Sequence, residues 1–509
     1  MNGTNLYMKK TKKLFYAMLA LSATSFLMRT VSVWFSVYLT NKISAEGVGL
    51  MQLILSVYTL AKALAVSGMS LGATRFVVEY KESIDVCMKK LFISGFFISG
   101  FFGVIMYFSA NFCATVWLKS PISEIPLKIL AFALPSVAFS SAISGYFYAV
   151  RKTVRFSAVL VLEQIVRIIF TIILLDRVKN SDMEYSASAV VLGIIISEAF
   201  SLITCALLYI YDRRGEKKKR KVPFLKRFLS IAVPDCIGSL MRTGLNTASQ
   251  LLTPSALKKS GSSYSASLAA YGCIQGMALP ILLYPASILG VVSGLLVPEI
   301  AEAQVSGERI RTDYIIKRIL HISVMFSVAV MGFMFVFGEE LSFLIYNDKS
   351  AAYFIKIIAP LIPIMYIDMT TDGMLRGLDK QTYIMGINIV DSFLSVLLIY
   401  FLVPVWAVKA YVFVIYFTEI VNFILSYRKL YKMRNIGMSF FINGIFPCIS
   451  VFLSTFSVKT VFVKYSISIN ALSITLCAVT SLFLYIVFLK AFKCVSKEEI
   501  AWIKSIFKN

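Results

Sequence analysis

What most constrains this chain is a succession of apolar runs of about 20 residues each, the length that carries a helix across roughly 30 Å of hydrocarbon. They lie at 14–40, 47–71, 91–116, 127–150, 156–176, 187–211, 224–252, 267–297, 315–337, 354–375, 383–404, 408–427, 439–457 and 469–491, fourteen expected spans. With 58% hydrophobic and only 15% charged residues, there is more apolar surface than a soluble globule can bury. The expected fold class is therefore all-α, a polytopic membrane protein, because helices satisfy their own backbone in lipid.

A net charge of +24 would point to nucleic acid in a soluble protein, so the distribution of the charge decides its meaning. Counting basic residues on alternate sides of fourteen spans puts about 35 on the side of both termini and about 12 on the other. Both termini are thus expected to be cytoplasmic, in the cell membrane, and no nucleic-acid partner is expected. The densest basic cluster, Arg213 to Lys221 with Lys226 and Arg227, reads as a topology signal that also attracts anionic membrane lipids. The first apolar run lacks a small-residue cleavage site and reads as a retained helix. The eight cysteines have no close pair and the one histidine, His321, has no ligand pattern around it, so neither a metal nor another cofactor is expected.

The sequence repeats itself. Leu27, Met28, Arg29 and Thr30 recur as Leu240, Met241, Arg242 and Thr243. Gly49, Gln52 and Glu79 return as Gly272, Gln275 and Glu302, each 223 residues on, while Gly145, Lys152 and Glu163 correspond to Gly373, Lys380 and Asp391, each 228 on. Glu198 and Glu419 occupy equivalent mid-span depths. Spans 1–6 and 7–12 are therefore expected to be two repeats of the same topology, related by a pseudo-two-fold axis along the membrane normal, an arrangement of transporters with the site between the halves. The expected organisation is an N-lobe at 1–212, a basic linker at 213–227, a C-lobe at 224–434 and two further helices at 435–492. Residues 495–509, with a capping box from Ser496 to Glu499 and Ile500, Ile503 and Phe507 on one face, read as an amphipathic helix on the inner surface. Trp34, Trp117 and Trp406 fall at expected outer ends of spans, as in an interfacial belt.

Eleven ionisable residues lie inside the expected spans: Arg29, Lys62, Glu163, Arg167, Glu198, Asp235, Arg242, Asp368, Asp372, Asp391 and Glu419. At about 3 kcal/mol for each lipid-facing charge they would cost roughly 30 kcal/mol, more than a fold can bear, so they must face water or one another. Glu163 and Arg167, four apart, suit an internal ion pair. Asp368 and Asp372 share that spacing and the same sign, so they need a cation, a proton or a basic neighbour. Arg29, Lys62 and Arg242 have no opposite charge at helical spacing in their own spans, apart from Asp235 seven residues before Arg242. They suit either an anion such as phosphate or interhelical salt bridges. Pro234, Pro280, Pro285, Pro360 and Pro363 are expected to bend their helices. No Gly-Lys dipeptide, nucleophile elbow, HExxH or metal-ligand cluster occurs, so the chain is expected to be no enzyme and to use a gradient, the membrane potential or its substrate's own concentration difference.

The run from Glu46 to Glu79, EGVGLMQLILSVYTLAKALAVSGMSLGATRFVVE, resembles the opening region of the stage V sporulation protein B family. These are polysaccharide-biosynthesis members of the multidrug, oligosaccharidyl-lipid and polysaccharide exporter superfamily. The resemblance implies a two-lobed flippase carrying an undecaprenyl-pyrophosphate-linked glycan, or a peptidoglycan precursor, by alternating access. It implies basic residues of the first, second and eighth helices at the pyrophosphate and a lipid-tail groove between the last two helices. Arg29 and Lys62 take the first two of those positions. Phe35 replaces a second arginine of lipid II flippases, and the eighth span offers Gln275 and prolines in place of a cation. On this reading Arg29, Lys62, Arg242 and Gln275 bind substrate. Glu163, Arg167, Glu198, Asp368, Asp372, Asp391 and Glu419 balance charge or couple an ion, sodium or proton. Two other readings stay open: a cation-coupled drug exporter of the same fold, and a non-transporting scaffold or polymerase of cell-wall assembly.

Overall fold

The computed structural model describes residues 2–150, 152–178, 183–213, 224–434, 444–465, 468–492 and 494. Among them every regular element is a helix. In chain order these are α1 (Asn2–Val66), α2 (Met69–Glu79), α3 (Ile84–Phe112), α4 (Glu124–Ala131), α5 (Leu134–Ala149), α6 (Thr153–Arg177), α7 (Met183–Asp212), α8 (Phe224–Lys259) and α9 (Tyr264–Gly272). They continue as α10 (Leu279–Leu283), α11 (Ala286–Val305), α12 (Arg309–Tyr346), α13 (Ala352–Ile358), α14 (Ile362–Gly377), α15 (Gln381–Arg434), α16 (Phe446–Lys464) and α17 (Ala471–Ala491). The expected amphipathic helix at 495–509 and most of the basic linker lie outside the described residues.

Ten helical stretches among the described residues are long and apolar enough to cross a membrane, or eleven when a pair bent by 45° at Phe132 counts as one span. The expected number of fourteen is not reached for physical reasons. α1 and α15 each join two expected spans through one non-helical residue, Ser44 (φ 64°, ψ 167°) and Ala407 (φ 52°, ψ −136°). α8 is diluted by Asp235, Arg242 and amide and hydroxyl side chains, whereas the expected eighth span is kept as the continuous stretch Tyr264–Leu283, with a wide π turn at Cys273–Ala278 between α9 and α10. Pro280 and Pro363 sit in the first turns of α10 and α14, where a missing N–H does no harm. The backbone carbonyls of Met277 and Leu282, in the π turn and just after it, accept hydrogen bonds from the Tyr346 (3.1 Å) and Tyr366 (2.6 Å) hydroxyls. That satisfies backbone which lipid could not. Trp34, Trp117 and Trp406 are all exposed, as belt residues should be.

Packing divides the chain into two compact units. The first comprises Met1–Met28, Lys42–Gly272 and Ser395–Ala407, the second Arg29–Asn41, Cys273–Leu394 and Val408–Asn509. In the first unit α2 is buried among α3, α5 and α8, with Met69, Phe76, Met88, Leu91, Phe147 and Phe228 at its core. Small residues permit this closeness. A Cβ on Gly145 would stand 2.2 Å from the carbonyl oxygen of Ser70, and one on Gly49 would stand 2.3 Å from that of Leu268. In the second unit a Cβ on Gly373 would stand 2.9 Å from the Ser293 side chain. Ser293 and Gly373 are the residues 223 and 228 beyond Ser70 and Gly145, so the repeat read from the sequence is also a repeat of packing. α16 and α17 dock on α12: Val451 fills the space over Gly332, Lys459 pairs with Glu340, and the Tyr485 hydroxyl donates to the Met325 carbonyl (3.1 Å).

Candidate functional site

Within the first unit the latter part of α1, with α2 beyond it, lies antiparallel to α8. Gly68 N–H donates to the Asp235 carboxylate (2.8 Å), Gly244 faces Leu60, and the Thr247 hydroxyl donates to the Ser56 carbonyl (3.1 Å). These contacts keep one register, which sets Arg242 level with Ala61 and Lys62. Two of the sequence-predicted cations are thereby brought to the same depth on adjacent helices. Arg242 is exposed and, among the described residues, has no carboxylate in ion-pair range.

Lys62 does have a partner. Its ammonium reaches Glu198 on α7 at 3.1 Å and lies over the Tyr58 ring, 5.8 Å from the centroid. α6 completes the cluster, held against α7 by the close approach of Gly193 to Thr171. Arg167 donates through Nη2 to Glu163 (2.7 Å) and through Nε to the Ser197 hydroxyl (3.2 Å), and Glu163 is near enough to sense Glu198 and Lys62. The result is a neutral group of two cations and two carboxylates, each charge meeting an opposite one as the low dielectric demands. Glu163 with Arg167 is the pair expected from their spacing. Lys62 with Glu198 is not, because 136 residues separate them.

Asp235, the nearest opposite charge to Arg242 along the sequence, is engaged elsewhere. It accepts the Gly68 N–H at the start of α2, where a carboxylate meets unbonded amides and the positive end of the helix dipole. Gly68 has φ +73°, and a Cβ there would stand 2.5 Å from that of Ala232.

Within the second unit the acids gather without an ion-paired cation, Arg376 acting on Asp372 only from a distance. Asn422 Nδ2 donates to Asp368 (2.9 Å) and the Ser426 hydroxyl to Asp372 (3.2 Å), two rungs of equal spacing between α14 and α15. Asp391 and Glu419 are close enough to act on Asp368 electrostatically. Asp368 Oδ1 and Asn422 Oδ1 are buried with no hydrogen-bond partner, and among the described residues no Lys or Arg forms an ion pair with any of the four acids. The repeat explains the contrast: Asp391 and Glu419 correspond to Glu163 and Glu198, but Pro285 and Ser395 stand where Lys62 and Arg167 would recur. Asp368 and Asp372 correspond to Ser140 and Ser144. Arg29 also belongs to this unit, exposed, beside Thr30, whose hydroxyl meets that of Tyr284 (3.0 Å). Gln275 donates its amide to the Tyr411 hydroxyl (2.7 Å), so it is tied within the fold. A cavity of about 840 Å³ lies along one face of α16, lined by Cys448, Ile449, Phe452, Leu453 and Phe456 among others.

A family model described as "Polysaccharide biosynthesis protein" matches residues 14–304, more than half of the chain. The chain belongs to that family. A second family model, MatE, matches residues 265–401. Stage V sporulation protein B of Bacillus subtilis (strain 168) is 24% identical over 380 residues, covering 72% of this chain and 73% of that protein. Among solved structures, the lipid II flippase MurJ in an inward closed conformation superposes with a TM-score of 0.71 at 13% identity, over 93% of this chain and 98% of that one. An inward-facing multidrug resistance MATE transporter of the MOP superfamily superposes with a TM-score of 0.60 at 13% identity, over 82% and 99%. This polysaccharide biosynthesis family member is thus a multi-pass membrane protein with the fold of those flippase and MATE structures. Sequence reasoning found its charged residues but missed the roles of Asp235 and Tyr411, which show only as contacts between distant helices.

Proposed function

We propose that this protein is a flippase that moves an undecaprenyl-pyrophosphate-linked oligosaccharide or peptidoglycan precursor across the cytoplasmic membrane by alternating access, both termini being cytoplasmic. The observation that carries this reading is the placing of Lys62 and Arg242 at one level on adjacent antiparallel helices. Two such cations match the two phosphoryl groups of a pyrophosphate, and the guanidinium fork suits phosphate oxygens. The polysaccharide biosynthesis family and a lipid II flippase among the structural neighbours support the same cargo class. Arg29 serves as a phosphate ligand from the second unit's own residues, the repeats at 1–212 and 224–434 as the moving lobes, and the apolar face of α16 as a seat for the lipid tail.

The four acids of the second unit are the coupling site in this reading. Buried carboxylates with no ion-paired cation call for one or more protons or for a small cation. The test is flipping of a fluorescent lipid-linked glycan in proteoliposomes under an imposed proton or sodium gradient. Arg29→Ala is expected to abolish flipping in protein that is still folded and inserted. Asp368→Asn is expected to remove the gradient dependence. Full transport by Arg29→Ala would remove its assignment, and stimulation by sodium alone would exclude the proton.

A further inference from the structure

Lys62 and Glu198 are unequally accessible. The lysine side chain is 40% exposed and the glutamate side chain 6%. The ammonium can therefore be approached from its open side while its counter-ion stays sealed behind it. Resting on the reading of Lys62 and Arg242 as phosphate ligands, we infer that Glu198 occupies Lys62 when no cargo is present, and that an arriving diphosphate displaces it and draws one proton onto Glu198.

The surroundings of Glu198 leave few other outcomes. From α1 it faces Tyr58 and Lys62. From α6 it faces Glu163 and Arg167, and Arg167 is already engaged by Glu163 and Ser197. Its own helix supplies Ser197 and Ser201, with Cys205 beyond Glu163. α5 brings no charged side chain, and its Tyr146 donates to Asp212. Once Lys62 turns to the phosphate, two largely buried carboxylates share one arginine. A buried unpaired carboxylate next to a like charge is strongly unfavourable, and a proton taken from the aqueous side removes it. Glu198 is then a stand-in for the cargo's anion. It prevents Lys62 from remaining a bare cation in the membrane and makes only a stronger, doubly charged ligand able to displace it.

The test is calorimetric binding of inorganic pyrophosphate to the purified full-length protein, from pH 5.5 to 8, in buffers of different ionisation enthalpy. Wild type is expected to take up about one proton more than Glu198→Gln does; the pyrophosphate's own titration is common to both and cancels. Glu198→Gln should bind pyrophosphate at least tenfold more tightly and lose the extra pH slope. Glu198→Asp, which keeps the charge, should retain that slope, which a purely structural role would not require. If wild type binds but Glu198→Gln shows the same affinity and slope, the exchange is refuted while the anion site survives. If neither binds pyrophosphate and Lys62→Gln changes nothing, the anion site itself is wrong and the exchange falls with it.

Discussion

Gly68 shows how much one residue can hold in place. Its φ of +73° lies in the region that residues with a side chain enter only at about 1–2 kcal/mol, and the added Cβ would collide with Ala232. Gly68→Ala is therefore expected to lower stability by at least ~2 kcal/mol, read as a reduced melting temperature in fluorescence-detected gel filtration. Asp235→Asn, which weakens the cap without removing it, should shift the same melt less. A second prediction concerns Arg167. Glu163→Gln leaves this partly buried guanidinium without its carboxylate, and a broken buried pair costs about 3 kcal/mol. Melting should fall accordingly, and Arg167→Gln in the same chain should restore much of the loss. The Glu163–Arg167 pair was readable because helical geometry alone sets residues four apart on one face. Gly68 with Asp235 was not, since 167 residues lie between them.

At the scale of elements, backbone proximity between helices is set by glycines that recur with the repeat. Gly145 lies against Ser70 and Gly373 against Ser293, so both Gly145→Leu and Gly373→Leu should be destabilising, by about 1–3 kcal/mol or more, because a backbone or short side chain cannot move aside. If Gly373→Leu melts like wild type while Gly145→Leu does not, the packing repeat has no energetic meaning. The sequence marked both glycines as a matched pair. It did not show what each touches, nor that one non-helical residue, Ser44 or Ala407, would separate two expected spans within what remains one helical element.

For the whole molecule, head and tail of the cargo should be separable. The face of α16 along the cavity carries Ile449 and Leu453, both exposed. Ile449→Gln with Leu453→Gln is expected to lower flipping of a long-chain lipid-linked glycan at least tenfold, since apolar contact is lost along the chain, while binding of inorganic pyrophosphate stays unchanged. Loss of both activities together would mean that the face supports the fold and not the lipid. Charge is also distributed over the whole molecule. The first unit balances its acids with Lys62 and Arg167, whereas the second repeats the acids without those cations. The two repeats thus share their acids and differ in the cations set against them.

By itself the sequence determined that the chain is helical, membrane-bound and duplicated, because partition into lipid depends on composition over some twenty residues and needs no knowledge of neighbours. It also named the charges that had to be reconciled with that environment. Only the tertiary structure decided how: that Glu198 neutralises Lys62, that Asp235 caps α2 and leaves Arg242 without it, and that Arg242 and Lys62 share a level. Those outcomes depend on the register of helices far apart in the chain, and a low dielectric makes the identity of each charge's partner, more than the charge itself, the quantity that matters.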